Sequence, residues 1–423
     1  MSDNDEPLTP GAGNGLLSRR ALLQAGAGSS LLIASATAAA SVPASARPAW
    51  MKNPGAAMSG YGQPSSFEAG LVRQAISSQP GTTGAGVSRS PLAELEGTIT
   101  PNGLFFERHH SGIPDIDPNQ HELVIHGLVR QPLRFSMDTL HRYPMVSRQY
   151  FLECSGNSGA LMAQAPGQNT CAEIHGLISA SEWTGIRLAT LLEEAGVDPQ
   201  ATWIIAEGAD AAMMSRSVPM SKALDDAMLV LYQNGEKLRP ENGYPLRLLL
   251  PGWEGNMSVK WLRRLQITEQ PAMTRDETSK YTDLASDGRA SLFTFLMGVK
   301  SVITTPSGGQ QINGQGIYQI NGLAWSGSGR IRRVEVSADG GSSWADALLD
   351  EPVQDRHLTR FRSALHWQGQ PVTLLSRATD DAGAIQPTRA AVLAGRASGA
   401  FYHVNAIQAW QIASNGGVSN VYV

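Results

Sequence analysis

Apolar and polar positions alternate over short stretches in the middle of the chain and predict short strands interleaved with short helices. Residues 121–129 alternate as a half-buried strand does, and residues 147–152 and 202–207 also predict strands. Residues 188–195 have the apolar spacing of a short helix, and Gly196 follows as a residue suited to a helix end. Because these elements follow no regular strand-helix-strand period, we expect an α+β fold.

The stretch from residue 229 to residue 267 carries a hairpin signal and a strand with one charge. Asn234 and Gly235 separate two strand-like runs, and Asn-Gly is the dipeptide preferred in tight hairpin turns. Residues 246–250 form an apolar strand interrupted only by Arg247. A buried guanidinium is costly unless it is paired, so we predict that Arg247 meets an anion or a carboxylate.

From about residue 300 onward the pattern is that of an all-β domain. Residues 331–337 and 372–379 predict strands, and each is followed by a turn rich in Asp and Gly. This spacing of strands and turns is typical of a β-sandwich, which we expect over residues 300–423. Residues 271–299 have the composition of a linker.

The beginning of the chain predicts an export signal. Arg19 and Arg20 form a twin-arginine pair, a mildly apolar region rich in Ala, Gly and Ser follows, and residues 44–46 resemble a cleavage site. We predict a twin-arginine signal peptide over residues 1–46 and a periplasmic protein; the alternatives are a disordered basic tail and a weak membrane anchor. The apolar region is too short and too polar to span a membrane. Residues 47–96, rich in Gly, Ser and Pro, predict an extended arm.

Length and net charge limit the classes of partner. The formal net charge of −4 over 423 residues gives no reason to expect nucleic acid or an anionic membrane as a partner. The length, with 42% hydrophobic residues, predicts two domains with separate cores. Local basic clusters are therefore interpreted as site chemistry or ordinary surface.

Cys154 is the strongest candidate for chemistry. It lies in a turn of small residues, Ser155 and Gly156, directly after a predicted strand. A thiolate is a soft ligand for a thiophilic metal, and small neighbours let a bulky group approach the backbone. Two alternatives stay open: a buried free cysteine, and a disulfide to Cys171 that closes a loop of roughly 17 residues and adds about 3 kcal/mol.

A polar loop at residues 104–115 is the second candidate. Arg108 is followed by His109 and His110, and a guanidinium matches phosphate or sulfur oxyanions with two parallel hydrogen bonds. The alternative is a solvated polar turn. A zinc site is less favoured because no matching Cys/His spacing follows.

Six motifs, taken in order, resemble the sulfite oxidase family of molybdenum enzymes. They are Phe-x-Arg-x-His, Cys-Ser-Gly-Asn, Gly-x-Asp, Asn-Gly-Tyr-Pro-x-Arg, Val-Lys-Trp-Leu and Trp-Ser-Gly-x-Gly. The resemblance runs from about residue 97 to the end of the chain. Within the family, the Ser-Gly-Tyr-Gly motif around Tyr61, the Arg-Ser-Val-Pro motif at residues 216–219 and the tail at residues 402–410 are similar to the molybdenum subunits of sulfane dehydrogenases of the Sox system.

This resemblance implies a molybdopterin-binding catalytic domain over residues 97–270, followed after the linker by an immunoglobulin-like β-sandwich dimerisation domain with a C-terminal tail. It implies that Cys154 is the protein thiolate on the molybdenum of a molybdopterin cofactor. Arg108 and Arg216 would orient the substrate, and Tyr281 would hydrogen-bond beside the metal. The residues implied to bind the cofactor are Phe106, Glu107, Arg108, His109, His110, Cys154, Asp210, Asn242, Arg247, Ser258, Val259 and Lys260.

The activity implied by the resemblance is oxidation of the sulfane sulfur of a cysteine persulfide on a carrier protein. Electrons would pass to a c-type cytochrome subunit, because no c-type haem motif is found and no haem is expected on this chain. A homodimer within a heterotetramer is also implied. The alternatives are a sulfite dehydrogenase that uses cytochrome c as acceptor and, from another class, a non-catalytic exported β-sandwich protein for binding or assembly.

Two departures from the family's animal members leave the substrate preference open. Their Arg-Asn-His is replaced by Arg108, His109 and His110, and their His-Gly by Asn242 and Gly243. Neither replacement removes a hydrogen-bonding group, so cofactor binding is expected to persist.

Overall fold

A computed structural model describes residues 11–18, 47–76 and 83–423 of the chain. The twin-arginine pair, Arg19 and Arg20, lies outside the described residues. The strands that precede residue 270 are, in chain order, β1 (Gln74–Ile76), β2 (Gly86–Arg89), β3 (Glu107–His109), β4 (Glu122–Gly127), β5 (Leu133–Ser136), β6 (Val146–Glu153), β7 (Ile178–Arg187), β8 (Trp203–Gly208), β9 (Ser215–Pro219), β10 (Met228–Gln233), β11 (Glu236–Lys237), β12 (Arg247–Leu249) and β13 (Leu262–Thr268).

The later strands are β14 (Asp283–Leu284), β15 (Ala290–Ser291), β16 (Lys300–Thr305), β17 (Gly316–Trp325), β18 (Ile331–Ser337), β19 (Ala345–Asp346), β20 (Leu348–Leu349), β21 (Thr359–Trp367), β22 (Val372–Asp380), β23 (Ala409–Ile412) and β24 (Val418–Val421). The α-helices are short: α1 (Met137–Leu140), α2 (Cys171–His175), α3 (Leu188–Ala195), α4 (Met220–Asp225), α5 (Arg275–Thr278) and α6 (Arg389–Ala394). Single 3₁₀ turns lie at Ala49–Met51, Ser66–Glu68, Asn102–Leu104, Gly159–Met162, Pro240–Asn242 and Gly255–Met257.

Local sequence signals explain where several of these elements begin and end. The side chain of Ser136 accepts a hydrogen bond from the backbone of Thr139 and caps α1, while α3 ends at Gly196 in the left-handed conformation with φ +67°. Asn234 and Gly235 both have positive φ in the turn between β10 and β11, as a tight hairpin requires. The predicted helix at residues 188–195 and the predicted Asn-Gly hairpin are therefore confirmed.

Two five-stranded sheets form the framework of the first domain. One has the order β11-β10-β7-β6, with β12 also paired to β10, and the other has the order β5-β4-β13-β8-β9. In the second sheet β13 runs parallel to β4 and antiparallel to β8, so strands far apart in the chain lie side by side. Buried apolar side chains of α3 and of both sheets, including Leu191, Leu229 and Leu265, form one core.

The second domain is the predicted β-sandwich. A four-stranded sheet, β16-β17-β21-β20, faces a five-stranded sheet, β19-β18-β22-β23-β24. Trp325, Phe361 and Trp410 are fully buried between them. The α+β domain followed by a β-sandwich confirms the fold class expected from the sequence.

A buried ion pair joins the two domains directly beside Cys154. Glu153, the last residue of β6, is 0% exposed, and its Oε1 lies 2.5 Å from the Nζ of Lys300 in β16. The indole Nε1–H of Trp325 donates to the other carboxylate oxygen at 2.7 Å. The strand that presents Cys154 is therefore held by groups of the second domain.

The N-terminal arm lies against the first domain. Residues 49–70 are all exposed, and the arm then enters a three-stranded sheet in which β1 pairs with β2 and β2 with β3. In the earlier described segment, Leu16 is buried and forms a bridge with Leu365 of the second domain. Across the described residues, no helix is both long enough and apolar enough to cross a bilayer.

Candidate active site

The thiol of Cys154 is presented by a turn at the end of β6. The Cys154 backbone N–H donates to the Leu177 carbonyl at 2.9 Å, and the Cys154 carbonyl accepts from the Asn157 N–H at 2.9 Å. Burial raises the pKa of this thiol, and hydrogen bonding from the Gly156 backbone and the charge of Arg108 oppose that rise. Both cysteines are free: Cys171 is buried in α2, so the disulfide alternative is not formed.

A cavity opens on one side of this thiol, and its walls come from six separate regions of the chain. All twelve residues predicted to bind a cofactor line it, together with Tyr281. The other lining residues are Phe105, Met214, Glu241, Gly255, Asn256 and Trp261. Within the described ranges, no three Cys, His, Asp or Glu side chains converge as a metal-binding group.

Arg247 and Lys260 place two neighbouring basic side chains in the wall of this cavity. The guanidinium of Arg247 donates to the Asn242 carbonyl at 3.0 Å, but its Nε is buried without a partner among the described residues. Burial lowers the pKa of Arg247 to about 9. Burial, and then the charge of Arg247, hold the pKa of Lys260 well below its usual value. Two buried basic groups side by side are costly to charge unless an anion joins them, so this part of the cavity suits a phosphate.

The carboxylate of Asp210 supplies a hydrogen-bond acceptor in the wall of the same cavity. Its Oδ2 accepts from the Ser111 hydroxyl at 3.2 Å, whereas Oδ1 is buried and has no hydrogen-bond partner in the described part of the chain. An open acceptor of this kind suits the ring N–H groups of a pterin. The cavity therefore fits molybdopterin: buried cations for its phosphate, a free carboxylate oxygen for its ring, and the Cys154 thiol for the metal.

Replacing Arg247 tests this fit without an activity measurement. In Arg247→Met we expect the cofactor-free protein to be as stable as the wild type or more stable, because a buried cation without a carboxylate partner is removed. The same change should weaken cofactor retention about 10- to 100-fold, since a hydrogen bond to a charged group is lost. Thermal midpoints of the cofactor-free proteins and bound molybdenum after gel filtration measure the two effects. Arg134→Met, at an exposed position, is the control; equal retention in Arg247→Met and Arg134→Met would contradict the assignment.

A second, wider cavity meets the first at the thiol. It has a volume of about 720 Å³, and Arg108, His110, Cys154 and Tyr281 line both cavities. The remaining lining residues include three cationic side chains and two aromatic ones: Arg89, Arg275, Lys280, Phe401 and Tyr402. We name this second cavity the vestibule. Its charge favours an anionic substrate that enters toward Cys154.

His110 and Tyr281 are joined where the two cavities meet. The His110 Nε2 lies 2.7 Å from the Tyr281 hydroxyl. Burial, and then the charges of Arg108 and Lys260, lower the pKa of His110 to about 3, so its ring is neutral near pH 7 and, as the Nε2–H tautomer, can donate to the Tyr281 oxygen. Burial also raises the pKa of Tyr281, which therefore keeps its proton. The pair holds a proton donor beside the thiol.

Arg216 does not reach either cavity, and the predicted contact with substrate is not supported. Its guanidinium is 1% exposed and forms ion pairs with Glu277 at 3.1 Å and Glu254 at 3.2 Å. It also lies over the ring of Tyr281, 5.0 Å from the centroid. Flanking carboxylates rather than a substrate anion balance the charge of this arginine, although its Nη1 is buried without a partner among the described residues. It is therefore a positioning residue behind Tyr281.

The C-terminal tail closes one wall of the vestibule. The His403 N–H donates to the Ser155 carbonyl at 2.8 Å, and its ring lies 2.7 Å from Asp283 and 3.4 Å from Glu254. Burial would lower the pKa of His403, but hydrogen bonds and charge from the two carboxylates outweigh it and raise that pKa to about 9. A protonated His403 therefore fastens the tail to the turn that carries Cys154.

Stability should depend on pH through this contact. The folded pKa of His403 lies above its ordinary value of 6.5, so its contribution is complete below about pH 6.5 and is lost as pH rises through about 9. The shift corresponds to about 3 kcal/mol. We expect His403→Gln to lower the urea midpoint at pH 6 more than at pH 9.5, with His366→Gln as the control. An equal loss at both pH values would show that the imidazolium contributes nothing.

Sequence reasoning missed several residues of the site. Glu241 and Trp261 line the first cavity, and Arg89, Phe401 and Tyr402 line the vestibule. Trp261 stands inside the Val-Lys-Trp-Leu motif and could have been found from it. Arg89 and the tail residues reach the thiol only through long-range packing and had no local signal.

Comparisons with known proteins agree with this geometry. The family model of the oxidoreductase molybdopterin binding domain matches residues 110–275, and that of the Mo-co oxidoreductase dimerisation domain matches residues 292–409. The crystal structure of the sulfane dehydrogenase SoxCD from Paracoccus pantotrophus matches with a TM-score of 0.87 and 44% identity over 90% of this chain and 98% of that chain. The chain belongs to the sulfite oxidase family of molybdenum oxidoreductases and carries its molybdopterin-binding and dimerisation domains.

More distant relatives are longer proteins. Human mitochondrial sulfite oxidase is 31% identical over 349 residues, which are 74% of this chain and 63% of that protein. A nitrate reductase [NADH] of Oryza sativa subsp. japonica is 34% identical over 301 residues, 62% of this chain and 32% of that protein. The chain thus spans less than two thirds of the length of these relatives.

Proposed function

We propose that this protein is a periplasmic, molybdenum-dependent dehydrogenase that oxidises the sulfane sulfur of a cysteine persulfide on a carrier protein. Electrons leave to a c-type cytochrome on a separate polypeptide, and export follows the twin-arginine route. The identity of 44% to a sulfane dehydrogenase over nearly the whole of that chain supports the substrate class. The twin-arginine pair and the cleavage-like site support the location.

The observation that carries the proposal is the junction of the two cavities at Cys154. The first cavity fits the cofactor, and the vestibule brings a substrate to the same thiol. The vestibule, with a volume of about 720 Å³, is the wider of the two cavities. A sulfite ion needs a small part of that space, whereas a polypeptide segment that ends in a persulfide needs most of it.

The protein's own residues bind and orient the substrate. The guanidinium of Arg108 lines both cavities and faces an anionic sulfur terminus, while Arg275 and Lys280 add positive charge along the vestibule. When bound, the molybdenum cofactor supplies two-electron oxygen-atom transfer to sulfur, with water as the source of the oxygen. Tyr281, protonated and held by His110, can donate a hydrogen bond to the oxygen that the sulfur acquires.

A sulfite dehydrogenase is the second candidate, and the similarity to mammalian sulfite oxidases favours it. Arg108 can bind the oxyanion of sulfite as well as that of a persulfide oxidation product. In this reading the large vestibule serves only as an entrance, and a free anion should be used as efficiently as a carrier-bound one.

A comparison of two substrates distinguishes the two candidate functions. The molybdenum-loaded protein is assayed with ferricyanide as acceptor, against sulfite and against a carrier-protein persulfide. We expect kcat/KM to be at least tenfold higher for the persulfide. A higher value for sulfite would make the protein a sulfite dehydrogenase, and turnover of neither substrate by loaded protein would overturn both.

A further inference from the structure

The N-terminal arm, residues 47–73, presents an apolar surface that the other described residues do not cover. Of the eighteen large apolar side chains that are exposed in the described residues, six lie on it: Trp50, Met51, Met58, Tyr61, Phe67 and Val72. Trp50 is 81% exposed and Phe67 is 95% exposed. Soluble proteins rarely leave so many large apolar groups together in water, and such groups typically mark a surface that binds another protein.

Two contacts fix the arm in place. The Tyr61 hydroxyl donates to a carboxylate oxygen of Glu236 at 3.1 Å and accepts from Arg239 at 3.3 Å. At the base of the arm, Arg73 donates to the Phe105 carbonyl at 3.2 Å and forms an ion pair with Glu107. The arm therefore has a defined course while its apolar side chains stay exposed.

The base of the arm lies on the outer wall of the cofactor cavity. Glu107, which pairs with Arg73, lines that cavity, and so does Glu241, whose carboxylate lies 3.7 Å from the same guanidinium. A protein that binds to the arm is thus held beside the cofactor site rather than at a distant surface.

A groove continues the apolar surface onto the catalytic domain. It has a volume of about 1240 Å³ and is lined on one side by Tyr61, Leu71 and Val72 of the arm and on the other by Ile99 and Leu104. The combination of projecting side chains and an adjoining groove is the geometry in which aromatic residues serve as anchors of an interface.

We propose that the arm and this groove form the docking surface for the electron-accepting polypeptide. The proposal rests on the proposed function, in which electrons leave to a separate c-type cytochrome. A second copy of the chain is the less suitable occupant, because the dimerisation domain begins at residue 292 whereas Glu236 and Glu107, which hold the arm, lie on the catalytic domain. An acceptor, by contrast, must approach the cofactor, and the base of the arm at Arg73 lies on that wall.

Three exposed apolar side chains of the arm are replaced together to test this proposal: Trp50→Ser, Met58→Ser and Phe67→Ser. These side chains are exposed, so the thermal midpoint should not change. The matched control is Leu224→Ser, an exposed apolar residue of the same domain that lies off the arm. Affinity is measured by calorimetry with the purified c-type cytochrome that reoxidises the wild-type protein, and turnover is measured with that cytochrome and with ferricyanide.

We expect the triple variant to bind the cytochrome at least about 30-fold more weakly, because interface anchors of this type dominate binding energy. Turnover with ferricyanide should stay within twofold of the wild type, since a small acceptor needs no docking surface. Unchanged cytochrome affinity would overturn the proposal. Unchanged affinity together with loss of self-association in light scattering would assign the arm to a second copy instead. If no c-type cytochrome reoxidises a wild-type protein that turns over with ferricyanide, it is the acceptor part of the proposed function that fails.

Discussion

Cys154→Ser should abolish turnover while leaving the fold intact. Serine is similar in size to cysteine and the position is half-buried, so we expect little change in stability. A hydroxyl is a poor ligand for a metal that prefers a thiolate. Changes to residues that only support metal ligands cost about 10- to 100-fold, so loss of the ligand itself should lower kcat by more than about 100-fold.

Cys171→Ser provides the matched control for this variant. Cys171 is also a free cysteine, but it is buried in α2 and lines neither cavity. Cofactor content should stay near the wild-type value in both variants, because Arg247 and Lys260 remain in place. Steady-state assays at equal molybdenum content make the comparison. Full activity in Cys154→Ser would show that the thiol is not needed as a metal ligand.

Lys300→Met should be the most destabilising substitution considered. It leaves the carboxylate of Glu153 buried at 0% exposure without its cation, with Trp325 and Asn157 as the remaining donors. Breaking one side of a buried ion pair costs about 3–5 kcal/mol. Because Lys300 belongs to the β-sandwich and Glu153 to the strand that presents Cys154, the loss should appear as separation of the two domains at lower urea concentration.

The double variant Glu153→Gln with Lys300→Met is the control for that prediction. It removes both charges, and replacement of a whole buried pair is often neutral. The double variant should therefore recover much of the lost stability in urea denaturation. A loss below about 1 kcal/mol in Lys300→Met alone would contradict the role given to the pair.

Local signals explain how much of the fold could be predicted from the sequence. The hairpin at Asn234 and Gly235 needs two residues with positive φ, and the helix Leu188–Ala195 needs only its own apolar spacing and Gly196. Information of this kind lies within a few neighbouring residues. The placement of β13 between β4 and β8 depends on strands that are far apart in the chain, and no local pattern specifies it.

The same distinction applies to the site. The sequence motifs predicted that Cys154, Asp210 and Lys260 share one site, because the family resemblance assigns all three to the same cofactor. The sequence neighbourhood of Arg216 does not reveal Glu254 and Glu277, which pair with it from other parts of the chain, so its position outside both cavities could not be predicted. The tail residues of the vestibule escaped prediction for the same physical reason.

The tail also connects stability with access to the site. A Cβ added to Gly159 would lie 3.0 Å from the Phe401 carbonyl, so the tail packs closely on the turn that carries the thiol. Arg396 donates to the His403 carbonyl at 3.0 Å and pairs with Asp283 at 2.9 Å. Because these contacts hold the tail residues Phe401 and Tyr402, which line the vestibule, a substitution that loosens them should change substrate entry as well as stability.

The most direct test of the proposed function traces the source of the oxygen that is added to the sulfur. Molybdenum-loaded protein is given a carrier-protein persulfide and ferricyanide in water labelled with heavy oxygen, and the carrier is analysed by mass spectrometry. We predict one labelled oxygen on the carrier's terminal sulfur for every two ferricyanide ions reduced. Reduction of ferricyanide without labelled oxygen on that sulfur, or no reaction by loaded protein, would contradict the account.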